Sequence, residues 1–417
     1  MPKFTGYHCS ICGREYPPEA IMYTCPQDGG NLDVVLDNDA VRQSASPSSI
    51  KDSTDFSLWR YLPLLPVADP GFHGTPLRSA GWTPIYRPPR LIREYDLCDL
   101  WVKDESRNPT ASFKDRASAL VIARAREIGA EVVVTASTGN AGAALAGMAA
   151  AVGQKTVIFA PKTAPAAKLA QLLIYGAQVI LVDGNYDQAF DLTVKASQNF
   201  GWYCRNTGFN PFTAEGKKTA AFEIWEQVLL HQELRGPLSV FISVGDGNII
   251  SGIHKGFKDL HALGWLEQMP RLFGVQAEGS AAVANAVRDK TEDICAVTAS
   301  TMADSISVDL PRDGVRAVRA ITQTGGECLV VSDQQILRSI AVLGKSGIFA
   351  EPAGAAAFAG MEAALDRGLV DPEDPILVLN TGSGLKDTRA AMLAVRDAPV
   401  IEPTLPALKD YLASLSG

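Results

Sequence analysis

No stretch of this chain approaches about 20 consecutive apolar residues, so nothing in it is expected to cross a bilayer as a helix. The opening residues, MPKFTGYHCSICG, lack the apolar centre of a secretory signal. The expected compartment is reducing and cytoplasmic, and seven scattered cysteines do not read as a disulfide framework. Basic runs are missing too. Lys and Arg number 38 against 46 Asp and Glu, a formal net charge of −8, whereas a nucleic-acid partner needs a basic face. Five histidines show no metal-ligand spacing, and no serine stands beside an evident base. Two nucleotide motifs also fail. Gly245-x-Gly247 lacks the third glycine of a dinucleotide fingerprint, and Gly344-Lys345-Ser346 has Ser339 where a phosphate loop needs glycine. Neither nicotinamide nor a nucleoside triphosphate is expected.

What is present is an ordinary globular balance, 47% apolar and 20% charged over 417 residues, long enough for two domains and a small module. Cys9, Cys12 and Cys25 crowd the first 30 residues in the layout of a zinc ribbon. The second knuckle reads Cys25-Pro26-Gln27-Asp28, so the fourth ligand is Asp28 or is missing. Exchange of a soft thiolate for a hard oxygen points to an empty or weakly held zinc site. Residues 38–56 are polar and Ser-rich without periodicity, and read as a linker.

Further on, short β-branched runs alternate with Ala-rich helical stretches. Strands are expected at 131–137, 155–160, 178–183, 238–244, 271–277 and 375–380. This βαβ rhythm predicts parallel sheets covered by helices on both faces, with ligands at the carboxyl ends of the strands. Three Gly-rich loops follow such strands: STGNAGAA at 137–144, VGDGNIISG at 244–252 and NTGSGLKD at 380–387. A Gly-rich turn opening a helix offers free N–H groups and a positive dipole end to an anion.

The segment WVKDESRNPTASFKDRA, 101–117, carries the reactive candidate. Behind the turn Pro109-Thr110-Ala111-Ser112-Phe113, Lys114 is placed at a helix start in a partly buried pocket. Burial and the dipole both lower an amine's pKa and favour its reactive neutral form.

VKDESRNPTASFKDR resembles the cofactor-lysine motif of fold-type II pyridoxal-phosphate enzymes, most closely the threonine synthases. The resemblance runs in order from GWTPIYRPPRL at Gly81 to Asp387, and the N-terminal ribbon resembles one found in some members. It implies an α/β protein of two doubly wound open-sheet domains with the cofactor between them. The small domain is expected at 110–205 and the large one at 57–109 and 206–417, beside a zinc-ribbon-like module at 1–37; the assembly implied is a homodimer. Lys114 would form the Schiff base with pyridoxal 5′-phosphate and Asn140 would bond its 3′-oxygen. Gly245, Gly247 and Asn248 would cup its phosphate, and Thr381 would meet its pyridine nitrogen. Ser137 and Thr138 would hold the carboxylate of an amino-acid substrate.

Four positions depart from the family pattern. The phosphate cup, usually G-N-x-G-N, is Gly245-Asp246-Gly247-Asn248, one residue shorter and with a carboxylate beside a dianion. Asp246 must then point away, stay protonated, or belong to a cup of changed shape. Asn140 is followed by Ala141-Gly142 rather than Thr-Ser, and Ser383 stands for histidine. In NPFTAEGKKT, 210–219, Thr213 replaces the arginine implied for a substrate phosphate, and Lys217, one helical turn on, is the candidate to supply that charge. The expected reaction is O-phospho-L-homoserine plus water to L-threonine plus phosphate. The alternatives are β-elimination or β-replacement, as in a serine or threonine dehydratase, a diaminopropionate ammonia-lyase or a cysteate synthase-like enzyme, and, from another class, a catalytically silent binding relative.

Overall fold

Alternate residues of each buried strand enter different cores, as a period of two requires. In the strand Pro375–Asn380, Ile376 and Val378 join one cluster with Leu100, Val102, Phe241 and Phe273, while Leu377 and Leu379 join another with Trp101, Val240, Ile242 and Leu272. A sheet apolar on both sides must be covered on both sides. The Ala-rich helix Pro352–Asp366 covers one face and the helix Asn248–Leu263 the other. A computed structural model describes residues 4–164, 166–231 and 234–415. Its six-stranded sheet runs Cys328–Val331, Arg271–Ala277, Ser239–Ser243, Pro375–Asn380, Asp99–Asp104, Ile85–Tyr86. All pairs in it are parallel except the last. A second, four-stranded parallel sheet runs Gln178–Val182, Lys155–Pro161, Val132–Ala136, Tyr203–Cys204. All six expected strands are present within two residues of their expected ends.

The N-terminal residues form a three-stranded antiparallel sheet in the order Glu15–Tyr16, Phe4–Cys9, Leu32–Leu36. Its inner face carries Phe4, Tyr7, Leu32 and Val34, which share one core with Leu120, Val121 and Ile122 of the helix Lys114–Glu127.

The stretch 38–56 is not the structureless linker its composition suggests. It forms the helices Asn38–Ser44 and Pro47–Lys51, capped by Asp37 and by a Ser46/Ser49 capping box. Val41, Ala45 and Ile50 pack into the main core. The polar residues that read as linker include the capping groups, and helices this short bury too few side chains to show a period. Among the described residues, no helix is long and apolar enough to cross a membrane.

Candidate active site

Loops that follow strands of both sheets line two adjoining cavities, Thr138 and Asn140 from the four-stranded sheet and Gly245 to Asn248 and Thr381 from the six-stranded one, with Lys114 among them. The backbone N–H of Phe113 donates to Thr381 O at 2.9 Å, tying the helix start to the end of the central strand. The Asp115 carboxylate accepts from Thr110 N at 2.6 Å and from Thr110 Oγ1 at 2.5 Å, which pins the preceding turn. Burial lowers the Lys114 amine to about 8 against the opposing pull of Glu351 and Asp246, with Arg205 adding to the fall. A useful fraction is therefore the neutral nucleophile near neutral pH.

A cavity of about 60 Å³ lies against this amine, lined also by Lys217, Gly245, Asp246, Asn248 and Thr381. A second space of about 190 Å³, lined by Thr138, Asn140 and Lys386, shares Ser305, Glu351 and Ala353 with it. Ser137 is buried at the same loop, its Oγ accepting from Gly139 N at 3.2 Å. The cup needs its glycines. Gly247 has φ +89°, and a Cβ there would lie 2.6 Å from Asp313 O; one on Gly245 would lie 2.9 Å from Ile306 Cα. Asn248 opens the helix Asn248–Leu263, whose first-turn N–H groups are free of intrahelical partners. Asp246 does not turn away: it lines the cavity, its Oδ1 accepts weakly from Arg312 N at 3.4 Å, and burial pushes its carboxyl up, toward the neutral acid.

On the other side, Thr213 and Lys217 are fully buried on one face of the helix Phe212–Lys217 and meet at one atom. Asn248 Oδ1 accepts from Lys217 Nζ at 2.5 Å and from Thr213 Oγ1 at 3.2 Å. Burial holds the Lys217 amine well below its usual range, and the nearby charges of Lys114 and Arg205 lower it further. Lys218 instead pairs with Glu215 and Asp259.

Asn140 meets a group that sequence reasoning missed. Its Nδ2 donates to both oxygens of Glu351 at 2.9 Å. Glu351 precedes Pro352 at the start of a buried helix, and burial raises its carboxyl although Asn140 and Lys114 oppose this. The available signal was a lone carboxylate, in GIFAEPAGAAA, amid apolar residues. Arg205, also missed, had no such signal, because the strand before it, Tyr203–Cys204, is only two residues long. In the N-terminal sheet region, one side-chain atom each of Cys9, Cys12, Cys25 and Asp28, three sulfurs and an oxygen, lie within 4.8 Å of one another.

Residues 77–382 match the family described as pyridoxal-phosphate dependent enzyme. Threonine synthase of Methanocaldococcus jannaschii is 37% identical over 410 residues, covering 98% of this chain and 99% of that one. The threonine synthase of Methanosarcina acetivorans is 33% identical, covering 97% and 98%. The chain belongs to the pyridoxal-phosphate dependent enzymes. Within that family it is a threonine synthase-like lyase. The fold likeness extends to the processed form of threonine deaminase isoform 2 from Solanum lycopersicum, at a TM-score of 0.65 and 22% identity over 81% of this chain and 94% of that one. The residues present fit the cofactor: a half-buried amine of lowered pKa, a loop whose two glycines have no room for a Cβ, and a helix N-terminus at the same cavity.

Proposed function

We propose that this enzyme converts O-phospho-L-homoserine and water to L-threonine and phosphate. The observation that carries the substrate assignment is Lys217, a fully buried amine at the cleft whose hydrogen-bond partner, Asn248, is neutral. An amine kept from its charge by burial regains it when an anion enters beside it, so a buried amine without a carboxylate partner favours an anionic substrate group over a neutral one. In this reading Lys114 carries the cofactor covalently, Gly245, Gly247 and Asn248 hold its phosphate, and Asn140 and Thr381 orient its ring. When bound, pyridoxal phosphate supplies an electron sink for negative charge at the substrate α-carbon. Ser137 and Thr138 hold the α-carboxylate, and Lys217 holds the departing phosphate. The Lys114 amine would move the proton at the substrate α-carbon; its pKa of about 8 suits a base working near neutrality.

A second reading, elimination from a neutral hydroxyamino acid, is favoured by Thr213, which offers a hydroxyl where the family pattern has an arginine. A turnover screen separates the two. O-phosphohomoserine, threonine, serine, O-phosphoserine and diaminopropionate are supplied in turn, and phosphate, ammonia and new amino acids are scored. Threonine and phosphate in equal amounts from the first substrate support our reading, and ammonia from serine or threonine alone overturns it.

We further infer that 110–205 acts as the small domain and that Cys9, Cys12, Cys25 and Asp28 form a weak zinc knuckle. The Cys12–Cys25 sulfur separation of 3.8 Å suits two ligands of a tetrahedral ion. A cytoplasmic homodimer is the assembly we propose. Support comes from seven unpaired cysteines and from the C-terminal helix Leu405–Ser414, which buries no side chain and exposes Leu405 and Leu412.

A further inference from the structure

Four arginines are buried among the described residues: Arg60, Arg116, Arg205 and Arg316. Three of them have carboxylate partners. Arg60 pairs with Glu226, Arg116 with Glu105 and Glu223, and Arg316 with Asp33 and Asp313. Arg205 is fully buried and no described carboxylate lies within ion-pair distance. Its Nε donates to Ser118 Oγ at 3.3 Å and its Nη1 to Thr207 Oγ1 at 2.7 Å, while Nη2 is buried with no partner. A guanidinium cannot shed its charge as a lysine can, so a buried one lacking a counter-ion is costly unless a ligand supplies the anion.

Its position points to the source of that anion. The Arg205 N–H is tied to Val134 O at 2.8 Å, at the carboxyl end of the four-stranded sheet, whereas the glycine cup follows a strand of the six-stranded one. Thr207, which accepts from Nη1, lines the cavity beside Lys114 and Lys217. Asp246 acts on Arg205 only from a distance, and no ion pair joins them; the Asp246 carboxylate accepts instead from Arg312 N. In the reading above, the cofactor phosphate has its own donors in the cup and the helix start, which follow a strand of the six-stranded sheet.

We propose that Arg205 is the guanidinium fork that grips the substrate's phosphate, with Thr207 and Lys217 completing the clamp, in place of the arginine missing at position 213. This rests on the phosphorylated-substrate reading above and names the residue that selects for it. A planar fork matches two phosphate oxygens at once, which a point charge at Lys217 does not.

The test uses the cofactor-loaded enzyme and inorganic phosphate as probe, followed by calorimetry and by the visible absorbance of the cofactor. Wild type should bind phosphate. Arg205→Met should weaken that binding by about tenfold or more, and Arg205→Lys, which keeps charge but loses the fork, by a smaller factor. Cofactor content per chain should stay at the wild-type level in both. Loss of cofactor with unchanged phosphate affinity in the loaded fraction would overturn the proposal and assign Arg205 to the cofactor phosphate. Wild-type phosphate affinity in Arg205→Lys would also overturn it, and that variant decides the matter if Arg205→Met does not fold. The underlying reading fails separately: Arg205-dependent phosphate binding without turnover of O-phosphohomoserine would leave the clamp standing and the reaction wrong.

Discussion

The Asn140 amide lies 2.9 Å from each oxygen of the Glu351 carboxylate, although the two residues are 211 positions apart and follow different sheets. Glu351 lines the cavity beside Lys114 as well as the one that holds Asn140. Glu351 also raises the Lys114 amine, opposing the burial that lowers it to about 8. In Glu351→Gln that support is gone, so the Lys114 pKa should fall below the wild-type value and the neutral amine should persist to lower pH. The rate at which cofactor-free protein takes up pyridoxal phosphate should follow, with its pH midpoint near 8 in wild type and lower in the variant. Borohydride reduction and peptide mapping should place the label on Lys114 in both. An unmoved midpoint would detach Glu351 from the amine, and a label on Lys103 or Lys386 would remove Lys114 from its role.

Lys217→Ala should lower kcat/KM about tenfold or more for O-phosphohomoserine, as expected for a lost charge-assisted bond worth ~1.5–3 kcal/mol. A neutral substrate such as serine should be turned over almost as before. Equal losses on both substrates would make Lys217 a structural residue that merely positions Asn248.

Untagged protein purified without added metal should contain well under one equivalent of zinc, and a mild chelator should remove what is there. The reasoning is ligand softness: Asp28 offers oxygen where the other three residues offer sulfur. Restoring the thiolate, Asp28→Cys, should raise zinc content to about one per chain and make it chelator-resistant. Stoichiometric, resistant zinc in the wild type would contradict this.

Arg116 follows two residues after Lys114 and is locked in a fully buried network, with its Nε 2.7 Å from Glu105 and its Nη2 2.7 Å from Glu223. Arg116→Ala leaves Lys103 as the one cation facing two buried carboxylates and should cost about 3–5 kcal/mol in urea unfolding. Burial raises the Glu223 carboxyl, but Arg116 and Lys103 outweigh it and bring it to about 2 from an ordinary 4.5. A depressed acid contributes stability that is full above its unfolded pKa and lost as pH falls through the folded one. Wild-type stability from this group should therefore hold down to about pH 4.5 and decline toward pH 2, a decline that Arg116→Ala should blunt.

The strands that were legible in the sequence, such as PILVLN and RLFGVQA, are those whose charges lie at their ends. Asp99–Asp104 was not, because Lys103 and Asp104 interrupt its apolar run; Lys103 is buried in the Glu223 network that cancels its charge. That compensation is tertiary and leaves no local trace. Lys114 and the glycine cup were legible because their chemistry is confined to short contiguous turns. Glu351 and Arg205 were not, since each acquires its meaning from residues far away in the chain: Asn140 for one, the absence of a carboxylate partner for the other.

The docking of the N-terminal sheet has a consequence for anyone trimming the chain. Phe4, Tyr7 and Val34 lie in the same core as Leu120 and Ile122, on the helix whose first residue is Lys114. A detachable appendage leaves a finished, water-compatible surface behind when it is cut away. This one would leave the back of the Lys114 helix bare. Deleting the first 36 residues should therefore yield aggregating or poorly expressed protein rather than a minimal enzyme, whether or not the cysteines ever meet a metal.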